Sequence, residues 1–318
     1  MCFVSPTIMP NPINYIHQYP HRCKRILGIS YKQFLQLVEQ AFLHQSQQHL
    51  ELEKTKTRIN APGCGRKAIL STHTEVGLCL FYLRHLPTFE ILGLQFGISK
   101  TSANDIFHYW LEILREILPA SLLEQVRNQA SEREVVQELL TEFELLVDST
   151  EQHRERPREY QEQKKFFSGK KKKHTFKNQF IILPEAQDIV DVIVGLPGPA
   201  SDINLLREQQ KKFGATQKFK GDKAYIGEKN VTTPHKKPRN RELSESQKEE
   251  NKVFSSSRIV IEHLIRRVKV FQIAAQRFRL RPQTYQQVIL TEGGLVRLRI
   301  GALILPALTG NKGVPAMS

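Results

Sequence analysis

Glu142–Phe176, EFELLVDSTEQHRERPREYQEQKKFFSGKKKKHTF, is the stretch on which the fold of this 318-residue chain turns. It opens with a mostly apolar run, Phe143 to Val147, that stops at Asp148. From Glu151 to Lys177 it then carries ten Lys or Arg (154, 156, 158, 164, 165, 170 to 173, 177) against four Glu. Such a change predicts a buried strand, 143–148, that ends in a carboxylate and runs into a basic loop. A carboxylate facing a field of positive charge suits an acid that holds a metal ion and works on phosphates. A strand entering a solvated charged loop has the same pattern, and the rest of the chain decides between them.

The charge balance narrows the partner. Lys and Arg number 47 against 32 Asp and Glu, a formal net charge of +15. A surface of that sign attracts polyanions, and phosphate neutralisation supplies most non-specific affinity for DNA. The four cysteines, Cys2, Cys23, Cys64 and Cys79, form no CxxC pair and fit no zinc template. They read as incidental thiols of a reduced cytosolic protein. The N-terminus lacks a basic segment followed by an apolar core, and the apolar run Ile300–Leu308 is about half of what a membrane span needs. The expectation is a soluble intracellular protein with no membrane partner.

Toward the N-terminus, residues 1–28 hold Pro6, Pro10, Pro12 and Pro20 and read as a weakly ordered arm. Tyr31–Leu52 repeats Phe34, Leu37, Val38, Ala41 and Phe42 at helical spacing. The segment 54–68, KTKTRINAPGCGRKA, is a basic linker broken by Gly and Pro. A helix follows, capped by Thr72 or Thr74, with Val76, Leu80 and Leu83 on its buried face. Then LPTFEILGLQFGISKTSANDIFHYWLEIL (86–114) predicts a short helix, 88–95, and a turn in which Gly97 takes positive φ. Ser99 caps a longer helix, 100–114, that buries Ala103, Ile106, Phe107, Trp110 and Ile113. That is a helix-turn-helix layout, although a three-helix bundle with a glycine turn has the same outline. Its second helix would present Lys100, Thr101, Ser102, Asn104 and Asp105 to base edges, while Arg66 and Lys67 hold phosphates. Residues 29–140 form this helical domain, and 115–140 connect it to the next.

From residue 141 to 308 the periodicity is strand-like before it returns to helical. Strands are predicted at 143–148, 173–183, 188–195 and 217–222, with helices at 201–213 and 255–271 and a polar stretch at 232–250. Residues 309–318 read as a disordered tail. This chain order is that of an α/β, ribonuclease H-like mixed sheet flanked by helices, preceded by an all-α helix-turn-helix domain. Within it Asp148 and Asp222 end the first and fourth strands, and Glu262 lies on the last helix, at separations of 74 and 40 residues. Neighbouring strand ends and one helical turn can bring three carboxylates around two divalent ions. Hard oxygen ligands suit Mg²⁺ or Mn²⁺, and two such ions can drive an in-line displacement at phosphorus.

Several residues have a supporting role and an ordinary one. Lys170, Lys171, Lys172, Lys173, His174 and Lys177 follow the DNA backbone, with Lys173 or Lys177 nearest the acids, or form a solvated run. Arg258, Arg266 and Lys269 share a polar stripe with Glu262 and either hold the scissile phosphodiester or make a salt-bridged helix face. Asp202 supports the site or caps a helix, Glu151 touches a metal-bound water or edges the loop, and Tyr225 stacks on a base or belongs to the core. After Glu262 no acid occurs until Glu292, and a one-sign run of this kind favours a polyanion.

VDSTEQHRERP (147–157), FFSGKKKKHTFKNQ (166–179), GDKAYIG (221–227) and SSRIVIEHLIRRVKVFQIAAQRFR (256–279) resemble the corresponding segments of bacterial insertion-sequence transposases. The likeness is to DDE superfamily endonucleases related to Harbinger-type elements. GRK (65–67), LFYLRHLPTFEILGLQFGIS (80–99) and TSANDIFHYW (101–110) are similar to the helix-turn-helix domain that precedes that nuclease. The resemblance implies that Asp148, Asp222 and Glu262 are the catalytic, metal-holding triad, with two Mg²⁺ or Mn²⁺ ions. It further implies a transposase that binds terminal inverted repeats and target DNA as a homodimer or larger assembly, in a prokaryotic, nucleoid-associated setting. Ser149 stands where the family usually has glycine, and GDKAY replaces the commoner Asp-x-Gly-Tyr. A stand-alone metal-dependent endonuclease and a non-catalytic DNA-binding derivative are the competing readings.

Overall fold

The protein is described here by a computed structural model that covers residues 11–55 and 69–306. Arg66, Lys67, most of the 54–68 linker and the 309–318 tail lie outside the described residues. The chain forms two compact units, residues 1–117 with 303–318, and residues 118–302.

The first unit is helical from its first described residues. Helix α1, Pro12–Gln18, has its N-terminal donors satisfied by the Asn11 side chain, which accepts from the Ile13 and Asn14 amides. A 3₁₀ turn, Pro20–Arg22, leads into α2, Cys23–Ile26. This corrects the reading of a weakly ordered arm. Pro12 and Pro20 sit at helix starts, where a missing N–H removes nothing, and Ile13, Ile16, Cys23 and Leu27 are fully buried. Helix α3, Tyr31–Thr55, buries Phe34, Leu37, Val38 and Ala41. Phe42, one position past the edge of that stripe, is 50 % exposed and is not core. Helix α4, Thr72–His85, is capped by Ser71 in place of Thr72 or Thr74, and buries Val76, Leu80 and Leu83. Helix α5, Phe89–Phe96, and helix α6, Lys100–Ile117, complete the unit.

The second unit opens with α7, Leu122–Gln125, and α8, Ala130–Leu140. Then come β1, Glu144–His153; α9, Tyr160–Phe166; β2, Phe167–Ser168; β3, Lys173–Ile182; and β4, Ile189–Pro197. Next are α10, Asp202–Gln210; β5, Lys218–Lys220; and β6, Val231–Thr232. The unit closes with α11, Glu245–Val268; α12, Gln272–Ala275; and α13, Tyr285–Ile300. Setting aside β2, which pairs only with the start of β3, the strands lie in the order β4-β3-β1-β5-β6. The first three pair antiparallel, and β1, β5 and β6 run parallel. That 3-2-1-4-5 order is the ribonuclease H-like mixed sheet expected from the sequence.

One face of the sheet packs Leu145, Val147, Ile181, Val190 and Phe219 against Leu206 of α10, against Leu123 and Leu140 of α7 and α8, and against Tyr225 of the turn after β5. Residues 118–140 therefore belong to the nuclease-like unit, where the sequence had placed them with the helical domain. At the start of β4, the fully buried Arg297 of α13 pairs with Asp188, Nε to Oδ1 at 2.6 Å and Nη2 to Oδ2 at 2.8 Å. Its Nη1 also donates to the Pro119 and Ser121 carbonyls, which ties α13 and the segment before α7 to the sheet. Among the described residues no helix is long and apolar enough to cross a membrane.

Two element boundaries differ most from the sequence reading. Strand β1 does not end at Asp148: residues 149–153 stay paired with 175–179 of β3, because cross-strand hydrogen bonds hold a polar segment extended that apolar content alone does not mark. Helix α11 begins at Glu245, about ten residues early, because Ser244 and Gln247 form a capping box.

Candidate active site

Asp148 lies in mid-strand on β1, opposite Phe180 of β3. The parallel pairing of β5 with residues 144–146 carries the chain to Gly221-Asp222 at the level of Asp148. Asp222 caps the short turn Lys223–Tyr225 by accepting from the Ala224 amide at 2.7 Å. An alanine at Gly221 would place its Cβ 2.5 Å from the Tyr225 ring, so the close packing of that ring on the backbone requires glycine there.

The electrostatics of Asp148 mark it out. Its carboxyl is pushed up to about 6, first by burial, then by the negative charges of Asp222 and Asp202, against the opposing pull of Arg258 and of the Ser149 amide. Arg258 of α11 approaches it, Nη2 to Oδ2 at 3.4 Å, and both side chains are largely buried. Arg258, expected at a DNA phosphate, thus stands beside the first acid.

Asp202, at the start of α10, is the third acid of this group. Lys177 of β3, 6 % exposed, reaches it at 2.9 Å and also donates to the Ala200 carbonyl. This corrects the expectation that Lys177 holds DNA, since its ammonium is buried and already paired. The same strand supplies Gln179, fully buried, whose amide nitrogen lies 2.8 Å from the Tyr225 hydroxyl, 3.0 Å from Ser149 Oγ and 3.0 Å from the Asp202 carbonyl oxygen. Ser149 thereby gains a partner that a glycine would not, and Tyr225 is a core residue, not an exposed stacking platform. Glu151 accepts from Thr175 Oγ1 at 2.7 Å and is held along the strand pair.

Glu262 sits one helical turn beyond Arg258 on α11, and it is exposed. The acids that act on one another are Asp148, Asp222 and Asp202. Among the described residues no group of three or more His, Cys, Asp or Glu side chains is drawn together tightly enough to hold a metal ion. Like charges resist gathering, and the Arg258 guanidinium supplies the positive charge at Asp148. In donor chemistry the site still fits a hard divalent cation: its ligand atoms are carboxylate oxygens, and the Asp148 charge is strained by burial and by two acidic neighbours. Gln179 was missed from sequence; its only signal was a polar pair, Asn178-Gln179, heading the apolar run FIIL.

The lysine run is elsewhere. Lys170, Lys171 and Lys172 occupy the exposed turn between β2 and β3, Lys173 is the exposed first residue of β3, and His174 beside it is half-buried against Phe167. Seven residues of β3 separate Lys173 from Phe180, the partner of Asp148, a span of about 24 Å. Of the two lysines expected nearest the acids, Lys173 is removed by this register, and Lys177 is the one that reaches them, through Asp202. Arg266 and Lys269 are exposed at the end of α11.

In the first unit, α5 is capped by Thr88 and ends on Gly97 at φ 68°, and Ser99 Oγ then accepts from the Ser102 amide at 3.0 Å to open α6. Lys100 and Thr101 are exposed at the head of α6; Ser102 and Asn104 are half-buried, and Ser102 Oγ lies 2.9 Å from Ser99 Oγ. The helix-turn-helix geometry is therefore present with its outward face at the N-terminus of the second helix.

Comparison with known proteins agrees with both units. Residues 147–297 match the family described as DDE superfamily endonuclease, and residues 69–120 match the helix-turn-helix of DDE superfamily endonuclease. A probable transposase for insertion sequence element IS702 of Microchaete diplosiphon is 32% identical over 225 residues, covering 70% of this chain and 78% of that protein. No solved structure matches the chain significantly.

Proposed function

Since the chain belongs to the transposases of the DDE endonuclease superfamily, we propose that it cuts DNA at the ends of an insertion sequence and joins them to a target. The observation that carries the reading is the buried Asp148 carboxyl, raised to about 6 beside Asp222 and Asp202 and met by Arg258. Asp148, Asp222 and Glu262 are the residues that would hold Mg²⁺ or Mn²⁺. Divalent ions bound there supply the charge that stabilises an in-line displacement at phosphorus.

The protein's own side chains do the rest. Arg258 is placed to exchange its contact with Asp148 for a phosphate oxygen, and Arg266, two turns further along α11, to hold the next stretch of backbone. Gln179 locks Ser149, Tyr225 and the first residue of α10 together, which fixes β1 and the Asp222 turn relative to each other. Lys177 neutralises Asp202, so that the acidic charge available at the site is mainly that of Asp148 and Asp222. Lys100, Thr101, Ser102 and Asn104 of α6 read the terminal repeats in the major groove. Because two ends are joined, the working form is a dimer or larger assembly on DNA.

The test uses supercoiled plasmid carrying the DNA that flanks the coding sequence in its host. With Mg²⁺ the wild-type protein should nick it and Asp148→Ala should not, a loss of at least ~10³-fold for an essential metal ligand. Equal cleavage by both proteins would sink the site assignment. Joined products establish transposition, whereas cutting without joining would leave the stand-alone endonuclease.

A further inference from the structure

At the end of the sheet away from β5, three chain segments lie side by side. The His153 carbonyl accepts from the Phe278 amide at 2.8 Å, and the Arg154 amide donates to the His174 carbonyl at 2.9 Å. Strand β1 is therefore flanked by residues 277–279 on one side and by 173–174 on the other, and the 169–172 turn projects from the latter. Each ribbon brings positive charge: Arg277 on the first, Arg156 just past the second, and Lys170 to Lys173 on the third. All of these are exposed. The underside is fixed by Arg154, whose guanidinium is buried between the Phe166 and Phe176 rings at 4.1 and 4.3 Å.

Little internal acid answers this charge. Arg277 meets Glu155 at 3.5 Å and Arg156 bonds the Gln163 amide, but among the described residues Lys170, Lys171, Lys172 and Lys173 pair with no carboxylate. The local field is felt by His153, where burial and then Lys173, Arg277 and His174 all disfavour the protonated ring. Four lysines with no carboxylate partner among the described residues, carried on a paired hairpin and not on a flexible tail, cost less ordering entropy on binding a polyanion.

We propose that this ribbon end is a second site for the backbone of duplex DNA, separate from the phosphate cut at Asp148. The inference rests on the transposase reading. It departs from a lysine run that guides DNA into the acids. His153 lies five residues along β1 from Asp148, about 17 Å, and Lys173 about 24 Å. At 3.4 Å per base pair, those spans correspond to contact about five to seven base pairs from the cut. The patch would hold DNA beyond the scissile phosphate and so fix the direction in which the duplex crosses the sheet.

The test is salt titration of full-chain binding to a 40-base-pair duplex of arbitrary sequence and to the 40-nucleotide single strand. A Lys170→Gln/Lys171→Gln/Lys172→Gln variant should lower the slope of log K against log salt on duplex by about two to three, close to 0.9 per lost phosphate contact. Replacement of the same three by Arg should restore it. An unchanged duplex slope, or an equal loss on the single strand, overturns the proposal. The plasmid assay separates the two ideas. Cleavage that depends on Asp148 with an unchanged slope refutes the second site alone. A lowered slope without any Asp148-dependent cleavage refutes the catalytic reading instead.

Discussion

Replacing Asp148 by Asn should make the protein more stable at neutral pH while abolishing cleavage. In the unfolded chain this carboxyl returns to its ordinary value of 3.8; in the fold it is held near 6. A group whose folded-state value is raised contributes fully below pH 3.8, and that contribution is lost as pH rises toward 6. Above pH 7 the folded state carries a charge that burial, Asp222 and Asp202 oppose, at a cost of about 3 kcal/mol. The attraction of Arg258 is already contained in that figure. The neutral, isosteric amide escapes it, so Asp148→Asn should gain up to about 3 kcal/mol at pH 7.5 and almost nothing at pH 4. Urea unfolding followed by far-ultraviolet circular dichroism at several pH values measures this. The fluorescence of Trp110 does not, because the single tryptophan lies in the other unit. A variant no more stable than wild type at pH 7.5, or a gain that persists unchanged at pH 4, would show that the strain on Asp148 is not real.

Mg²⁺ should raise the melting temperature of wild-type protein and leave Asp148→Asn unmoved, an effect reversed by chelator and weakened at pH 5.5, where protons compete for Asp148; calorimetry with and without the ion decides it. Arg297→Met breaks a fully buried ion pair and strands Asp188, a loss of about 3–5 kcal/mol in denaturant unfolding; a loss below 1 would mean the pair is dispensable. Lys177→Met leaves Asp202 uncompensated and should destabilise by about 2–4 kcal/mol while lowering cleavage, and wild-type activity in that variant would remove Asp202 from the site. Gly221→Ala forces the Tyr225 ring to shift and should cost about 1–3 kcal/mol together with most of the cleavage rate; full activity would mean the Asp222 turn tolerates displacement.

The strand order was legible because the apolar runs of β1, β3 and β4 are each buried on at least one face, and burial writes itself into composition. Asp148 was legible for the opposite reason, as the charge that interrupts such a run. The helix-turn-helix was legible through Gly97 and Ser99, residues whose backbone roles leave few alternatives. What stayed hidden depends on register or on distant partners. Whether Lys173 or Lys177 approaches the acids is a question of how many residues of β3 lie past Phe180, and pairing alone answers it. Lys177 and Arg154 look like loop cations until Asp202 and two phenylalanine rings enclose them. Likewise Pro12 and Pro20 suggest disorder until Ile13 and Ile16 are seen buried beneath them.

On the proposed reading the segment 142–176 divides into two functions along one strand pair. Its first half sets a carboxylate in mid-strand at an energetic cost, and its second half sets unpaired cations on a hairpin. Neither arrangement is what stability alone would select: an asparagine at 148 and a mixed-charge turn at 170–173 would both suit the fold better. In the proposed reading both face the same kind of ligand, a phosphodiester, at points about 24 Å apart along one strand pair. A strand pair of that length would measure position along a duplex only if both ends bind it. The proposal therefore treats the lysine turn and Asp148 as two ends of one DNA track and not as one composite centre.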